Sequence, residues 1–248
     1  MKEVVLDYID QMKLNENEGL ALVGSHANGL DKKWSDVDLI ILTQEDCENR
    51  IDLFKDHYFT ISYYKIDDLE DYLKNLEKAL VGVKSFSEMK IIVDPDQQLQ
   101  DFKNKCKSFK LSSVHLEHLK YKAKLEYIGY IEEAQKALQG LVDKDHGRMI
   151  LGRFGLTFGM FRVIALRDGL MQASENEFYD LVMNHLDDKD PIKDIAPHAF
   201  GIDRTDIEDQ VEAGLELFMH VGNSLMSLFN EDEKKYGLKL IQEIIKVV

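Results

Sequence analysis

The sequence predicts an α+β protein, with a small mixed-sheet domain over residues 1–110 followed by an all-α helical bundle over residues 111–248. Two observations carry this expectation. Up to about residue 110, short apolar and β-branched runs alternate with stretches of helical periodicity. Beyond it only the helical periodicity remains.

The elements follow in order. Val4, Val5, Ile9 and Met12 fall near helical spacing, so residues 3–13 read as a short amphipathic helix. Gly19-Leu-Ala-Leu-Val-Gly24 is a compact apolar run, a buried strand that ends in glycine. A polar turn follows. Asp36 to Leu42 is a second strand, whose alternation places Asp36 and Asp38 on one face and Val37, Leu39 and Ile41 on the other. His57 to Lys65, rich in aromatic and β-branched residues, is a third strand, and Met89 to Val93 a fourth. Helices are expected between them, around 45–54, 67–80 and 96–107. In the second half, Ser112 offers an N-cap to a long helix reaching about Leu138. A second helix, from about Asp145 to Leu166, is apolar nearly all round and carries Gly147, Gly152, Gly155 and Gly159. Each glycine costs about 1 kcal/mol in a helix interior, so four of them imply either close helix packing or a break. A loop region holds Pro191 and Pro197. Ile207, Val211, Leu215, Phe218 and Leu225 then mark a third long helix, and Leu240, Ile241, Ile244 and Ile245 a last one.

Composition narrows the function. A hydrophobic fraction of 44% and a charged fraction of 31% over 248 residues are those of a folded globular chain. The formal charge of -15 argues against bulk nucleic acid as a partner, because binding a polyanion depends on clustered Lys and Arg. Acids dominate between Asp168 and Glu233, which reads as a solvated surface or as a wall attracting a cationic substrate. The most apolar window, Met149 to Leu166, is interrupted by Arg153 and Arg162, so no membrane span is expected. The N-terminus has no apolar signal core, and Cys47 and Cys106 lack zinc or redox spacing; both point to a cytoplasmic chain with reduced thiols.

The stretch that carries chemistry runs from Gly24-Ser25 through ten residues to Asp36-Val37-Asp38. Glycine at a strand end lets the backbone approach a phosphate, and free N–H groups of the following turn can cradle its oxygens. Ser25 adds a hydroxyl, and His26 beside it is a weaker phosphate candidate. Residues i and i+2 of a strand point the same way, so Asp36 and Asp38 converge. Two carboxylates that close repel one another unless a hard cation such as Mg²⁺ lies between them.

This spacing resembles the polymerase-β-like nucleotidyltransferase superfamily. The layout of a small sheet domain plus a helical domain resembles its antibiotic-modifying branch, the kanamycin- and lincosamide-type enzymes. The resemblance implies AMP transfer from ATP, with Mg²⁺, to a hydroxyl of a small acceptor, and it allows a homodimer. It implies nucleotide contacts at Gly24, Ser25 and His26 and metal contacts at Asp36 and Asp38. The stretch Lys124-Leu-Glu126-Tyr127-Ile-Gly129-Tyr130 resembles the kanamycin-enzyme segment whose glutamate is the general base, which would make Glu126 the base here. A surface glutamate is the competing reading.

The sequence departs from the pattern twice. The superfamily commonly sets a third carboxylate on the next strand, where this chain offers Tyr58, Thr60, Ser62 and Tyr64. Either two carboxylates suffice, or activity is lost, or Asp56 or Asp67 supplies the third. Tyr130 stands where the kanamycin enzyme has a lysine, leaving Lys122 or Lys124 as substitutes. Arg148, Arg153 and Arg162 need a phosphate or a core partner, and Trp34 is expected to pack beside the motif. The alternatives to small-molecule transfer are a nucleotide-binding regulatory module and a transferase acting on a protein.

Overall fold

Residues 3–247 are described by a computed structural model. They fall into two compact units: one runs to residue 110 and includes Met171–Phe178, and the other takes Leu111–Leu170 and continues from Tyr179.

The first unit contains α1 (Glu3–Gln11), β1 (Gly19–Val23), α2 (Gly24–Asn28), β2 (Val37–Leu42), β3 (Arg50–Phe54), β4 (His57–Tyr64), α3 (Ile66–Lys74), α4 (Leu76–Glu88), β5 (Lys90–Val93) and α5 (Gln98–Ser108). The strands form one sheet in the order β3-β4-β2-β1-β5. Only β2 and β4 run parallel, so the sheet is mixed. Alternation in β2 sorts two cores. Val37, Leu39 and Ile41 pack with Val5 and Tyr8 of α1 and with Phe59 and Ile61. Ile40 and Leu42 pack on the opposite face with Leu69, Val83, Phe86 and Phe102 from α3, α4 and α5. By the same alternation Asp38 lies on this second face.

Three expectations for this half change. The helix expected at 45–54 is instead a loop and then the edge strand β3, which pairs with β4 through a two-residue hairpin. Lys55 and Asp56 both take positive φ, at 46° and 61°, as such a turn requires; without Gly or Asn there, the hairpin left no turn signature. The helix expected over 67–80 divides at Asn75, whose side chain accepts the Lys78 N–H at 3.1 Å and caps α4. The polar turn after β1 is the short helix α2.

The second unit is all-helical: α6 (Ser113–Gly129), α7 (Ile131–Asp143), α8 (His146–Asp168), α9 (Phe178–His185, of which Phe178 belongs to the first unit), α10 (Ile192–Ala199), α11 (Ile207–Leu225) and α12 (Glu231–Ile245). Ser112 caps α6 as expected, accepting the His115 N–H at 3.2 Å. The long helix expected to reach Leu138 stops at Gly129, and Tyr130 starts a new axis. The region around Pro191 and Pro197 is not a bare loop. It holds α9 and α10, with Pro197 inside α10.

α8 is unbroken, and Gly152, Gly155 and Gly159 face α7 and its N-cap residue Tyr130. A Cβ added to Gly152 would lie 2.6 Å from the Ala137 backbone nitrogen, and one on Gly159 would lie 2.4 Å from the Tyr130 ring. The axes are therefore closer than any side chain permits. Gly152→Ala should destabilise the protein by about 1–3 kcal/mol despite its better helix propensity, because Ala137 presents backbone that cannot swing aside. Urea unfolding of the two proteins tests this; equal midpoints would mean the helices can separate freely. By length and composition α8 would pass for a membrane span, against the sequence expectation, yet most of that stretch is buried inside the protein.

Candidate active site

The site begins where β1 ends. Gly24 turns the chain with φ of +67°, and a Cβ placed there would lie 2.4 Å from Asp38 Oδ2. The antiparallel pairing of Val23 with Asp38 creates this approach, since it sets the second residue of β2 beside the first residue after β1. The next residues form α2, whose first-turn N–H groups, those of Gly24, Ser25 and His26, have no carbonyl partner within the helix. α2 closes at Gly29, with φ of +81° and its N–H on Ser25 O at 3.0 Å. The chain then re-enters the sheet through a tight turn. Lys32 N–H donates to Ser35 Oγ at 2.9 Å and Ser35 N–H to Lys32 O at 3.1 Å.

Asp36 stands one residue ahead of β2, and Asp38 is its second residue. Asp36 Oδ2 accepts the Thr60 hydroxyl at 2.9 Å. Burial pushes the Asp38 carboxyl up to about 6, and the neighbouring charge of Asp36 adds to the rise. Asp38 is thus a buried carboxyl beside a second acid, which is the condition a cation relieves. Parallel pairing of Asp38 with Thr60 and of Ile40 with Ser62 sets hydroxyls where a third carboxylate would stand. Asp56 lies in the β3–β4 turn and Asp67 in the first turn of α3. Among the described residues no three His, Cys, Asp or Glu side chains converge. The donor set is oxygen alone, two carboxylates flanked by the hydroxyls of Thr60 and Ser62, and suits a hard divalent cation more than a transition metal.

Asp36, Asp38 and Ser62 line a cleft of about 1110 Å³ whose lining residues all belong to the first unit. Gly24, Ser25, Lys32 and Trp34 line it with them. Tyr72, Ser85 and the segment Gln172–Glu177 also line it. That segment arrives from far along the chain and is held by Gln172 N–H donating to Leu80 O at 2.8 Å, with Met171 packed into the core. Sequence reasoning did not single it out, and nothing local could have revealed it: Gln-Ala-Ser-Glu-Asn-Glu is an ordinary polar connection, and its place in the cleft depends on tertiary structure.

Of the remaining candidates in the first unit, Trp34 is in the cleft lining and His26 is not. His26 is buried, its side chain only 3% exposed, with Nδ1 3.9 Å from Asp31 Oδ1 and a buried Nε2 that lacks a hydrogen-bond partner. Its imidazole does not line the cleft. Trp34 is not packed as expected but is 87% exposed. In the helical unit, Glu126 Oε1 sits 2.6 Å from Arg162 Nε. Lys124 is buried and bonded to both carboxylate oxygens of Glu233 at 3.0 and 3.1 Å. Arg153 donates to Gln210 Oε1 at 2.9 Å, and Arg148 lies 3.4 Å from Asp145. Protein groups thus engage all three arginines that the sequence left undecided.

Comparison with known proteins finds the nucleotidyltransferase domain family matching residues 3–144, more than half of the chain. The match covers Asp36, Asp38 and Ser62 and continues through α6 and α7. No curated protein matches the sequence. Among solved structures, a nucleotidyltransferase-like protein from Exiguobacterium sibiricum 255-15 is similar at 14% identity and a TM-score of 0.46, over 99% of this chain and 87% of that one.

Proposed function

The chain belongs to the nucleotidyltransferase domain family, and from that membership we propose that it is a Mg²⁺-dependent enzyme of the cytoplasm. In this reading it transfers AMP from ATP to a hydroxyl of a small, cationic, aminoglycoside-like acceptor. The observation that carries the reading is the pair Asp36 and Asp38 set against the Gly24-Ser25 turn in one cleft. The N–H groups of Gly24, Ser25 and His26, with the Ser25 hydroxyl, receive triphosphate oxygens. His26 serves through its backbone N–H, since its buried imidazole does not line the cleft. Asp36 and Asp38 would hold a divalent cation, which supplies charge neutralisation on the triphosphate. The acceptor oxygen attacks the α-phosphorus in line, the bond to the β-phosphate oxygen breaks, and pyrophosphate leaves. Glu126, the general base that the resemblance to the kanamycin-type enzymes implies, would take the hydroxyl proton. The acidic bias of the chain favours a cationic acceptor.

A second reading has one observation in its favour: hydroxyls at Thr60 and Ser62 in place of a third carboxylate suit a domain that binds nucleotide without turning it over. Two measurements separate the readings. At about a hundredfold the dissociation constant, ATP with Mg²⁺ should stabilise the protein by about 2.7 kcal/mol, and ATP with EDTA should not. Pyrophosphate should then appear when a panel of amino-sugar acceptors is added. Stabilisation with no pyrophosphate from any acceptor favours the binding module, and no stabilisation by any nucleoside triphosphate sinks both.

A further inference from the structure

We propose that Trp34 is the base-stacking residue of the cleft, its indole lying against the purine of the bound nucleoside triphosphate; this rests on the nucleotide reading above. Trp34 is the single tryptophan of the chain and is 87% exposed, yet it lines the same cleft as Asp36 and Asp38. It does not hang on a loose loop. The turn that presents it is closed twice between Lys32 and Ser35, and Leu30 N–H is tied back to Ser25 O at 3.0 Å. The fold thus displays a large flat ring on a fixed backbone, two residues from the carboxylates, where it gains nothing from the core.

The other aromatic side chains of the cleft are already engaged. Tyr72 meets Phe86 edge to face at 4.9 Å, and Tyr64 meets Phe86 at 6.4 Å, within the core behind α4. Trp34 makes no ring contact among the described residues, and Lys33 Nζ sits 4.7 Å from its centroid. The surroundings choose the ligand. Lys33 sits over the indole and Lys32 lines the cleft, two cations that suit the phosphates of a nucleotide in a lining that otherwise carries the carboxylates of Asp36, Asp38, Glu175 and Glu177. A planar base is the part of such a ligand that uses an aromatic face, and stacking of this kind tolerates any base.

Trp34 being the sole tryptophan, its emission reports on the site directly. With Mg²⁺ present, ATP and GTP should quench the fluorescence of the full chain over the concentration range in which they stabilise it. Inorganic tripolyphosphate should stabilise the protein and leave the emission nearly unchanged. W34A should weaken ATP binding about tenfold while leaving tripolyphosphate affinity intact, and W34F should recover most of the loss. The proposal is overturned if ATP stabilises the wild type with no change in emission and W34A binds it equally well; the nucleotide site then stands without this residue. If ATP stabilises nothing, the nucleotide reading falls and this inference falls with it.

Discussion

Replacing both Asp36 and Asp38 by asparagine should abolish the Mg²⁺-dependent response to ATP and cut transfer by about 10³-fold or more, while making the metal-free protein more stable above pH 6. The first effect follows from charge. Asparagine keeps the shape and can still accept the Thr60 hydroxyl, but it cannot neutralise a divalent cation. Loss of several kcal/mol of electrostatic stabilisation corresponds to about three decades in rate. The second effect has the opposite sign and the same cause. Asp38 is raised from 3.8 to about 6 in the folded chain, by burial first and by Asp36 second. The native state therefore holds the proton more tightly than the unfolded one, and this group's contribution to stability falls as pH rises from about 4 through 6. Above that window the wild type bears a penalty on the order of 1–3 kcal/mol that the variant lacks; below pH 4 the two should converge. Thermal unfolding at pH 4, 6 and 8, with and without Mg²⁺ and ATP, reads both effects. A variant that is no more stable at pH 8 would show that the pair is already compensated, and the case for a cation between them would weaken.

The same physics explains what the sequence could reveal. Asp36, Asp38 and their shared face were legible because strand alternation is a local rule, and the apolar partners Val37, Leu39 and Ile41 made it plain. The Gly24-Ser25 turn was legible for a similar reason. What local rules could not supply was the neighbour of each element. β3 was hidden because Lys55 and Asp56 adopt left-handed backbone that neither residue advertises, and because Ile51 and Leu53 give only one step of alternation, at an exposed sheet edge. Gly152, Gly155 and Gly159 of α8 were visible, but their meaning lay in α7 and its N-cap Tyr130, which the sequence ran together with α6. Trp34 was expected to pack beside the motif because tryptophan is highly buried on average; only the fold shows it standing in the open. Residues 172–177 line the cleft through the Gln172–Leu80 hydrogen bond and the burial of Met171, two contacts with no trace in their own sequence.

Gly24→Ala provides a sharper test of the site than removal of its charges, because a matched control exists in the same turn. Gly24 and Gly29 both have left-handed backbone, at φ of +67° and +81°. An alanine at either position strains the chain by about 1–2 kcal/mol. They differ in what a Cβ would meet. At Gly29 nothing lies within 4 Å, whereas at Gly24 the Asp38 carboxylate oxygen lies at 2.4 Å. That oxygen is the far end of a side chain, so it swings away at little cost to folding but leaves the position a cation and triphosphate require. The two variants should therefore unfold at similar urea concentrations and part company with ligand. Gly29→Ala should keep its Mg²⁺-dependent stabilisation by ATP, and Gly24→Ala should lose about 10–100-fold in apparent affinity, the scale on which displaced metal-site partners act. Equal ATP binding by both would show that the close approach of Gly24 to Asp38 is a packing detail, and that the cleft holds its ligand by other groups.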